Sequence, residues 1–108
     1  MANTFKSAAT GSNTAITTMY TCPAATSAVV HAMYLSNIDG TNDATISVSV
    51  SGSANFQTRR YLLKTVDVPA DSTVVIEKPV NLGASDKLET QASADGDFDV
   101  FASILEIT

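Results

Sequence analysis

The chain of 108 residues contains no tryptophan, one cysteine, three prolines and five glycines. Cys22 cannot form a disulfide within the chain, and one thiol supplies neither a redox pair nor the ligand set of a structural zinc site. We expect it to be a small core residue. The glycines are isolated from one another, so the sequence has no glycine-rich phosphate-binding loop.

Charge is also scarce, at 16% of residues against an average of about 25% in soluble proteins. Eleven acidic and six basic residues give a net charge of −5. Because nucleic-acid binding requires a basic surface that neutralises phosphates, we expect no direct contact with nucleic acid. The 44% share of hydrophobic residues can build one core, and the length suits a single domain.

Long hydrophobic runs are missing as well. No apolar run approaches the ~18 residues that a membrane-spanning helix needs. The first six residues lack the basic and apolar regions of a secretion signal. We therefore expect no membrane association, and a protein that stays in the cytoplasm where it is made until it is assembled elsewhere.

β-Branched residues alternate with small polar residues in several short runs, which is typical of half-buried strands. In the clearest run, Ala44–Ser51, residues Ile46, Val48 and Val50 share one face. Six further runs have a similar character: residues 15–22, 28–37, 57–66, 73–78, 87–93 and 98–107. Turn-favouring residues separate the runs, and none of them has helical spacing.

This pattern predicts an all-β fold, a single antiparallel β-sandwich of the jelly-roll or immunoglobulin-like type with about seven or eight strands. Residues 14–108 would form the sandwich. Residues 1–13 surround Phe5 with small polar side chains. They would form either an amino-terminal arm that docks on a neighbour or an edge strand.

No set of residues indicates an enzyme. The only histidine, His31, lies in an alternating run that places it on one face with Val29, Met33 and Leu35. No Gly-x-Ser-x-Gly nucleophile motif accompanies it. We expect a partly buried or interface histidine, and we predict no catalytic residue and no cofactor.

Two acidic segments, residues 95–99 and 39–43, could in principle gather carboxylates around calcium. In the frame of an EF-hand loop that starts at Asp95, position six is Val100 instead of glycine, and position twelve, Glu106, falls in a predicted strand. We interpret both segments as hairpin loops with solvated carboxylates and predict no metal site.

Arg59 and Arg60 are the only adjacent basic residues, and strand alternation would send them to opposite faces unless the strand bulges. An arginine side chain can bind a carboxylate through two parallel hydrogen bonds, so one of these residues could contact a partner at a subunit interface. A surface ion pair within the monomer is the favoured alternative.

The final run, residues 98–107, has apolar residues on both faces, including Phe101, Leu105 and Ile107 on the second. In a monomeric β-sandwich a strand usually has one solvent-exposed face, so the second apolar face indicates contact with another subunit. We predict a homo-oligomer. The candidate interface residues are Phe5, His31, Arg59, Arg60, Phe101, Leu105 and Ile107.

Four segments resemble small virion structural proteins of tailed bacteriophages, especially marine phages: Tyr20–Gly40, Val66–Ile76, Asn81–Leu88 and Ala102–Ile107. The likeness extends over nearly the whole chain. It consists of strand and turn residues and includes no active-site motif. Cys22 departs from the pattern, because related sequences have an aliphatic residue there, and this departure fits a packing role.

The resemblance implies a non-enzymatic, all-β component of a phage particle, made in the host cytoplasm and located in the virion. We expect a capsid decoration or cement protein that binds the major capsid protein and stabilises the head. One alternative is a neck, collar or tail-fibre attachment protein that contacts neck or tail proteins. Another is a carbohydrate-binding adsorption module, which would need exposed aromatic residues beside polar side chains.

Overall fold

A computed structural model describes residues 3–11, 13–52, 58–94 and 96–108, and these residues form nine β-strands and no helix. The strands are β1 (Asn3–Gly11), β2 (Thr17–Thr21), β3 (Ser27–Asn37), β4 (Ala44–Ser51), β5 (Arg60–Val68), β6 (Thr73–Ile76), β7 (Val80–Leu82), β8 (Lys87–Ala92) and β9 (Phe98–Ile107). Within the described ranges, no helix is long and apolar enough to cross a membrane.

The strands form two antiparallel sheets. The first sheet has the order β1-β9-β3-β6, with β7 also paired to β3, and the second has the order β2-β8-β4-β5. The prediction of an all-β, antiparallel, sandwich-like fold is confirmed. The described residues contain more strands than the seven or eight expected, because residues 73–82 form two short strands around Pro79 and residues 3–11 form β1.

The core lies between the two sheets and follows the predicted alternation. Its fully buried side chains include Phe98, Met33, Leu35, Ile46, Val48, Val50, Leu88 and Ile104. Cys22 is buried, as predicted, and its thiol lies 3.3 Å from the carbonyl oxygen of Thr26. Burial, followed by the negative charges of Glu106 and Asp86, raises the pKa of the Cys22 thiol, so the thiol is neutral and poorly reactive.

A β-bulge interrupts β3 at His31. The pairing of β3 with β9 shifts between Val30 and Ala32, and as a result both Val30 and Met33 are buried in the core. In an unbroken strand these two residues would face opposite sides. The prediction that His31 shares a face with Met33 and Leu35 is therefore wrong, and the side chain is exposed instead of partly buried.

The hairpin interpretation of the two acidic segments is also wrong. Residues 39–43 connect β3 to β4, and these strands lie in different sheets, as do β8 and β9 on either side of the second segment. The connections cross the sandwich, which alternation within single strands does not reveal. Asp39 stabilises the first loop by accepting bonds from the N–H groups of Thr41 and Asn42 at 2.8 and 3.2 Å. These bonds lower the pKa of Asp39.

Gly52, directly after β4, is a position where the fold requires glycine. Its φ is +146°, and an added Cβ would overlap Oδ1 of Asp86 and lie 2.7 Å from the Asp86 Cα. Asp86 is fully buried, and its Oδ2 accepts a bond from the Gly83 N–H at 2.9 Å. An added Cβ would therefore force both the buried carboxylate and the backbone of Asp86 to shift.

We expect Gly52→Ala to lower the free energy of unfolding by about 3 kcal/mol, because backbone strain and steric overlap act together. Gly96→Ala is the matched control. Gly96 also has a positive φ, of 74°, but nothing lies within 4 Å of an added Cβ, so strain alone should cost about 1 kcal/mol. Urea denaturation of both variants measures the difference, and equal losses would contradict a steric role for Asp86.

Candidate functional site

The first sheet is apolar on its outer surface as well as on its core side. Directly paired residues of an antiparallel sheet project to the same side. The pairings of β1, β9, β3 and β6 thereby place nine apolar residues on the outer surface, which we call the apolar face: Phe5, Ala9, Val29, Ala32, Tyr34, Val75, Phe101, Leu105 and Ile107. Phe5 is 78% exposed, Tyr34 44% and Phe101 39%, so the face is open to solvent.

Two rows of directly paired residues cross the apolar face. One row is Phe5, Leu105 and Val29, and the other is Ala9, Phe101, Tyr34 and Val75. The rings of Tyr34 and Phe101 are 6.0 Å apart and tilted by 45°, an arrangement favourable for aromatic pairs. An open groove of about 440 Å³ runs beside them, and its lining includes Ala9, Ser36 and Asp99.

The outer surface of the second sheet is polar. The pairings there are Ser47 with Gln91, Ser49 with Glu89, and Ser51 with Lys87. Ser49 and Glu89 are buried, and Tyr61, which pairs with Ser49, is a large exposed aromatic residue of this surface. Covering the apolar face releases water from a larger hydrocarbon surface. The sandwich therefore has two chemically different sides, and the side formed by the first sheet gains more free energy by being covered.

The structure brings together four of the predicted interface residues, places His31 on the same outer side of the first sheet, and separates the two arginines from them. Phe5, Phe101, Leu105 and Ile107 belong to the apolar face. His31 is exposed at the bulge in β3. Arg59 lies by the second sheet, where its Nη2 is 3.2 Å from Oε1 of the buried Glu89. Arg60 is exposed and pairs with Val50 at the start of β5.

The contact of Arg59 with Glu89 is the intramolecular ion pair that the sequence favoured. The Glu89 Oε1 atom also accepts a bond from the Ser51 hydroxyl at 2.8 Å. Glu89 therefore has both an ion-pair partner and a hydroxyl donor within its own chain. The Arg59 side chain is thereby engaged within the monomer.

Sequence reasoning missed Tyr34 and Val75 as parts of the face. Unbroken alternation in β3 places Tyr34 on the side opposite His31, and the bulge brings the two residues to the same side. The sequence does contain a sign of the bulge. Unbroken alternation would place the polar His31 on the core face with Met33 and Leu35, and a bulge avoids this by shifting the alternation by one residue.

A polar network around the buried Glu106 anchors β1 at the edge of the first sheet. Glu106 of β9 is 5% exposed. Its Oε1 lies 3.3 Å from Nζ of Lys6 on β1, and its Oε2 accepts a bond from the Tyr20 hydroxyl on β2 at 2.5 Å. The network thus joins two strands of the first sheet to one strand of the second.

The Glu106 carboxyl group and the Tyr20 hydroxyl group influence the pKa of one another. The hydrogen bond from Tyr20 lowers the pKa of Glu106; burial opposes this effect, and Lys6 reinforces it. Burial and the bond to Glu106 raise the pKa of Tyr20. Glu106 is therefore ionised and Tyr20 is a neutral donor at neutral pH, which is a structural arrangement that holds β1 in place.

We expect Tyr20→Phe to lower the free energy of unfolding by about 1.5 kcal/mol at pH 7, because a hydrogen bond to a charged acceptor is lost. The folded-state pKa of Glu106 lies below its usual value of 4.5. The stabilisation is therefore complete above the usual pKa and is lost as the pH falls through the folded-state pKa. Urea denaturation at pH 7 and in acid should show the effect of the substitution shrink. A loss of the same size at every pH, or an equal loss in the exposed control Tyr61→Phe, would contradict this account.

Metal ligation finds no support in the described ranges, where no three His, Cys, Asp or Glu side chains converge on a common point. Asp95 of the second acidic segment lies outside the described residues.

Comparisons with models of protein families, with curated proteins and with solved structures find no match to this chain.

Proposed function

We propose that this protein is a non-enzymatic structural component of a tailed-phage virion, and specifically a capsid decoration or cement protein that stabilises the head. It is made in the host cytoplasm, binds the major capsid protein and associates with copies of itself. The observation that carries the proposal is the apolar face, since a structural subunit stabilises an assembly by covering such surface at its contacts. The resemblance of four sequence segments to phage virion proteins supplies the context.

The strand order supports a jelly-roll topology within the sandwich. Strands β1 to β4 alternate between the two sheets, β5 stays in the second, and β9 returns between β1 and β3. Alternation of this kind is expected of the two Greek keys of a jelly roll, whereas the first two strands of an immunoglobulin-like domain share a sheet. Jelly rolls are common in viral capsid proteins and in lectins, so the topology is compatible with this function and does not specify it.

The dimensions of the apolar face suit contact with a protein shell. A ten-residue strand such as β9 is about 33 Å long, and four strands are about 19 Å wide. The flat area of the first sheet is therefore about 600 Å², without the additional surface of protruding side chains. A standard protein interface buries about 800 Å² on each partner. The matching surface on the major capsid protein should be apolar and uncharged, and the polar second sheet then faces the solvent around the particle.

Copy number tests the proposal. Quantitative mass spectrometry of purified virions should find hundreds of copies per particle, on the scale of the capsid lattice. About six to eighteen copies would instead indicate a neck or tail protein, as expected for the rotational symmetry of those parts. Absence from the virion would overturn the structural role altogether.

The groove beside Tyr34 and Phe101 favours a second candidate, the carbohydrate-binding adsorption module. Two exposed aromatic rings lie there beside the polar side chains of Ser36 and Asp99, which is the combination that a sugar site needs. A glycan array distinguishes the candidates. Binding that disappears in Phe101→Ala would support this alternative, and an array without binding would remove it.

A further inference from the structure

Three of the four sheet edges are protected against pairing with another chain. At one edge of the first sheet, β6 and β7 are four and three residues long and are separated by Pro79. In the second sheet, β2 has five residues and a register shift after Thr18. The edge strand β5 has two register shifts against β4, a positive φ at Thr65 and a charged Lys64. Short strands, proline, bulges and charges are the usual devices that prevent edge-to-edge association.

The fourth edge, β1, is not short, contains no proline and no bulge, and has its one charge engaged within the chain. Its nine residues pair with β9 over their whole length without a register shift. Its only charged residue, Lys6, pairs in register with the buried Ile104 and reaches Glu106 on the core side. In the described part of the chain, no strand pairs with the other edge of β1. The N–H and C=O groups along that edge are available to a strand of another molecule.

We infer that the free edge of β1 pairs with β1 of a second copy, antiparallel and centred on Ser7. This inference rests on the proposed structural function and names the first partner of the subunit. Ser7 is the middle residue of the strand, so a two-fold axis through it pairs Phe5 with Ala9 of the second copy. In this register a large side chain faces a small one on the same side of the sheet.

The register also joins the rows of the apolar face. Phe5 ends the row that contains Leu105, and Ala9 ends the row that contains Phe101. Pairing Phe5 with Ala9 of the second copy joins these two rows into one continuous apolar row that crosses both molecules. The two-fold symmetry produces a second, identical row. Phe5 then lies at the rim of the groove of the other copy, which Ala9 and Phe101 line. This contact gives a function to a phenylalanine that is 78% exposed in the single chain.

The geometry adds no charge conflict. Lys6 faces the core side and is engaged by Glu106 of its own chain, and it would lie beside Ala8 of the second copy. The two apolar faces come to lie on the same side of the joined sheets. The dimer thereby offers the shell an apolar surface of twice the width, with the polar surfaces of both second sheets on the other side.

Cysteine cross-linking tests the register. In Ser7→Cys the two introduced residues face one another with Cα atoms about 4.5–5.5 Å apart, within the range that a disulfide spans. Ala9→Cys is the matched control, because it lies on the same face of the same strand but its two copies are about 14 Å apart in this register. The buried Cys22 is present in both variants and in the wild type. We expect a disulfide-linked dimer from Ser7→Cys alone.

Light scattering gives the second measurement. The wild-type chain at micromolar concentration should have twice the mass of a monomer, and Phe5→Ser should raise the dimer dissociation constant by about 100-fold. Because Phe5 is largely exposed, this variant should remain folded, which circular dichroism checks. A monomeric wild type, or cross-linking that is as strong in Ala9→Cys as in Ser7→Cys, would overturn the inference. Virion copy number is measured independently, so a protein that fails these tests but is present in hundreds of copies would keep its proposed place on the capsid and lose the β1 pairing.

Discussion

Replacing Phe98 by alanine is expected to lower the free energy of unfolding by about 4 kcal/mol. Phe98 is fully buried in the core, and its truncation removes hydrophobic burial and leaves a cavity between the sheets. The matched control is Phe101→Ala, three residues along the same strand and on the opposite face. Phe101 is 39% exposed, and its truncation should cost about 1 kcal/mol.

Urea denaturation of the two variants measures this difference directly. The comparison uses one residue type on one strand, so strand propensity and side-chain volume are held constant. A loss at Phe101→Ala as large as that at Phe98→Ala would mean that the outer surface of β9 is covered within the monomer. In that case the apolar face would not be available for assembly.

The second large effect concerns assembly instead of stability. The double variant Tyr34→Asp and Phe101→Asp places two charges in the middle of the apolar face, where a partner would have to desolvate them. We expect the number of copies on purified particles to fall by at least about tenfold, since a cost of about 1.4 kcal/mol per contact already suffices. Both residues are partly exposed, so the variant should still fold.

Thr21→Asp is the control for this assembly experiment. Thr21 is exposed on β2 and pairs with Lys87. An aspartate at this position would lie next to the Lys87 ammonium group, on the second sheet and away from the apolar face. This variant should be incorporated like the wild type. Equal incorporation of all three proteins would show that the apolar face does not contact the particle.

The sequence was a good guide wherever alternation was unbroken. The runs at residues 44–51 and 98–107 agree with β4 and β9 in both bounds, and Ile46, Val48 and Val50 are buried as their spacing predicted. In these strands every second side chain enters the core, and burial of that face fixes the register. The second apolar set of β9 also predicted that Phe101, Leu105 and Ile107 would lie together on the other face.

The sequence was a poor guide to features that depend on contacts between distant segments. The bulge at His31 reverses which residues of β3 face outward, and therefore Tyr34 was missed. The sheet to which a strand belongs depends on its pairing partner, which can be distant in the chain. Alternation therefore predicts hairpins at the two acidic segments, whereas β3 and β4 lie in different sheets, and so do β8 and β9. The contact of Arg59 with Glu89 likewise connects residues that are far apart in the chain.

The most direct test of the proposed role is a reconstruction of the virion at a resolution that distinguishes the two sides of the sandwich. We expect many copies on the head, with the first sheet and its apolar face against the major capsid protein and with the polar second sheet exposed to solvent. Copies that contact the shell through the second sheet, with Tyr34 and Phe101 left in water, would contradict the proposed role.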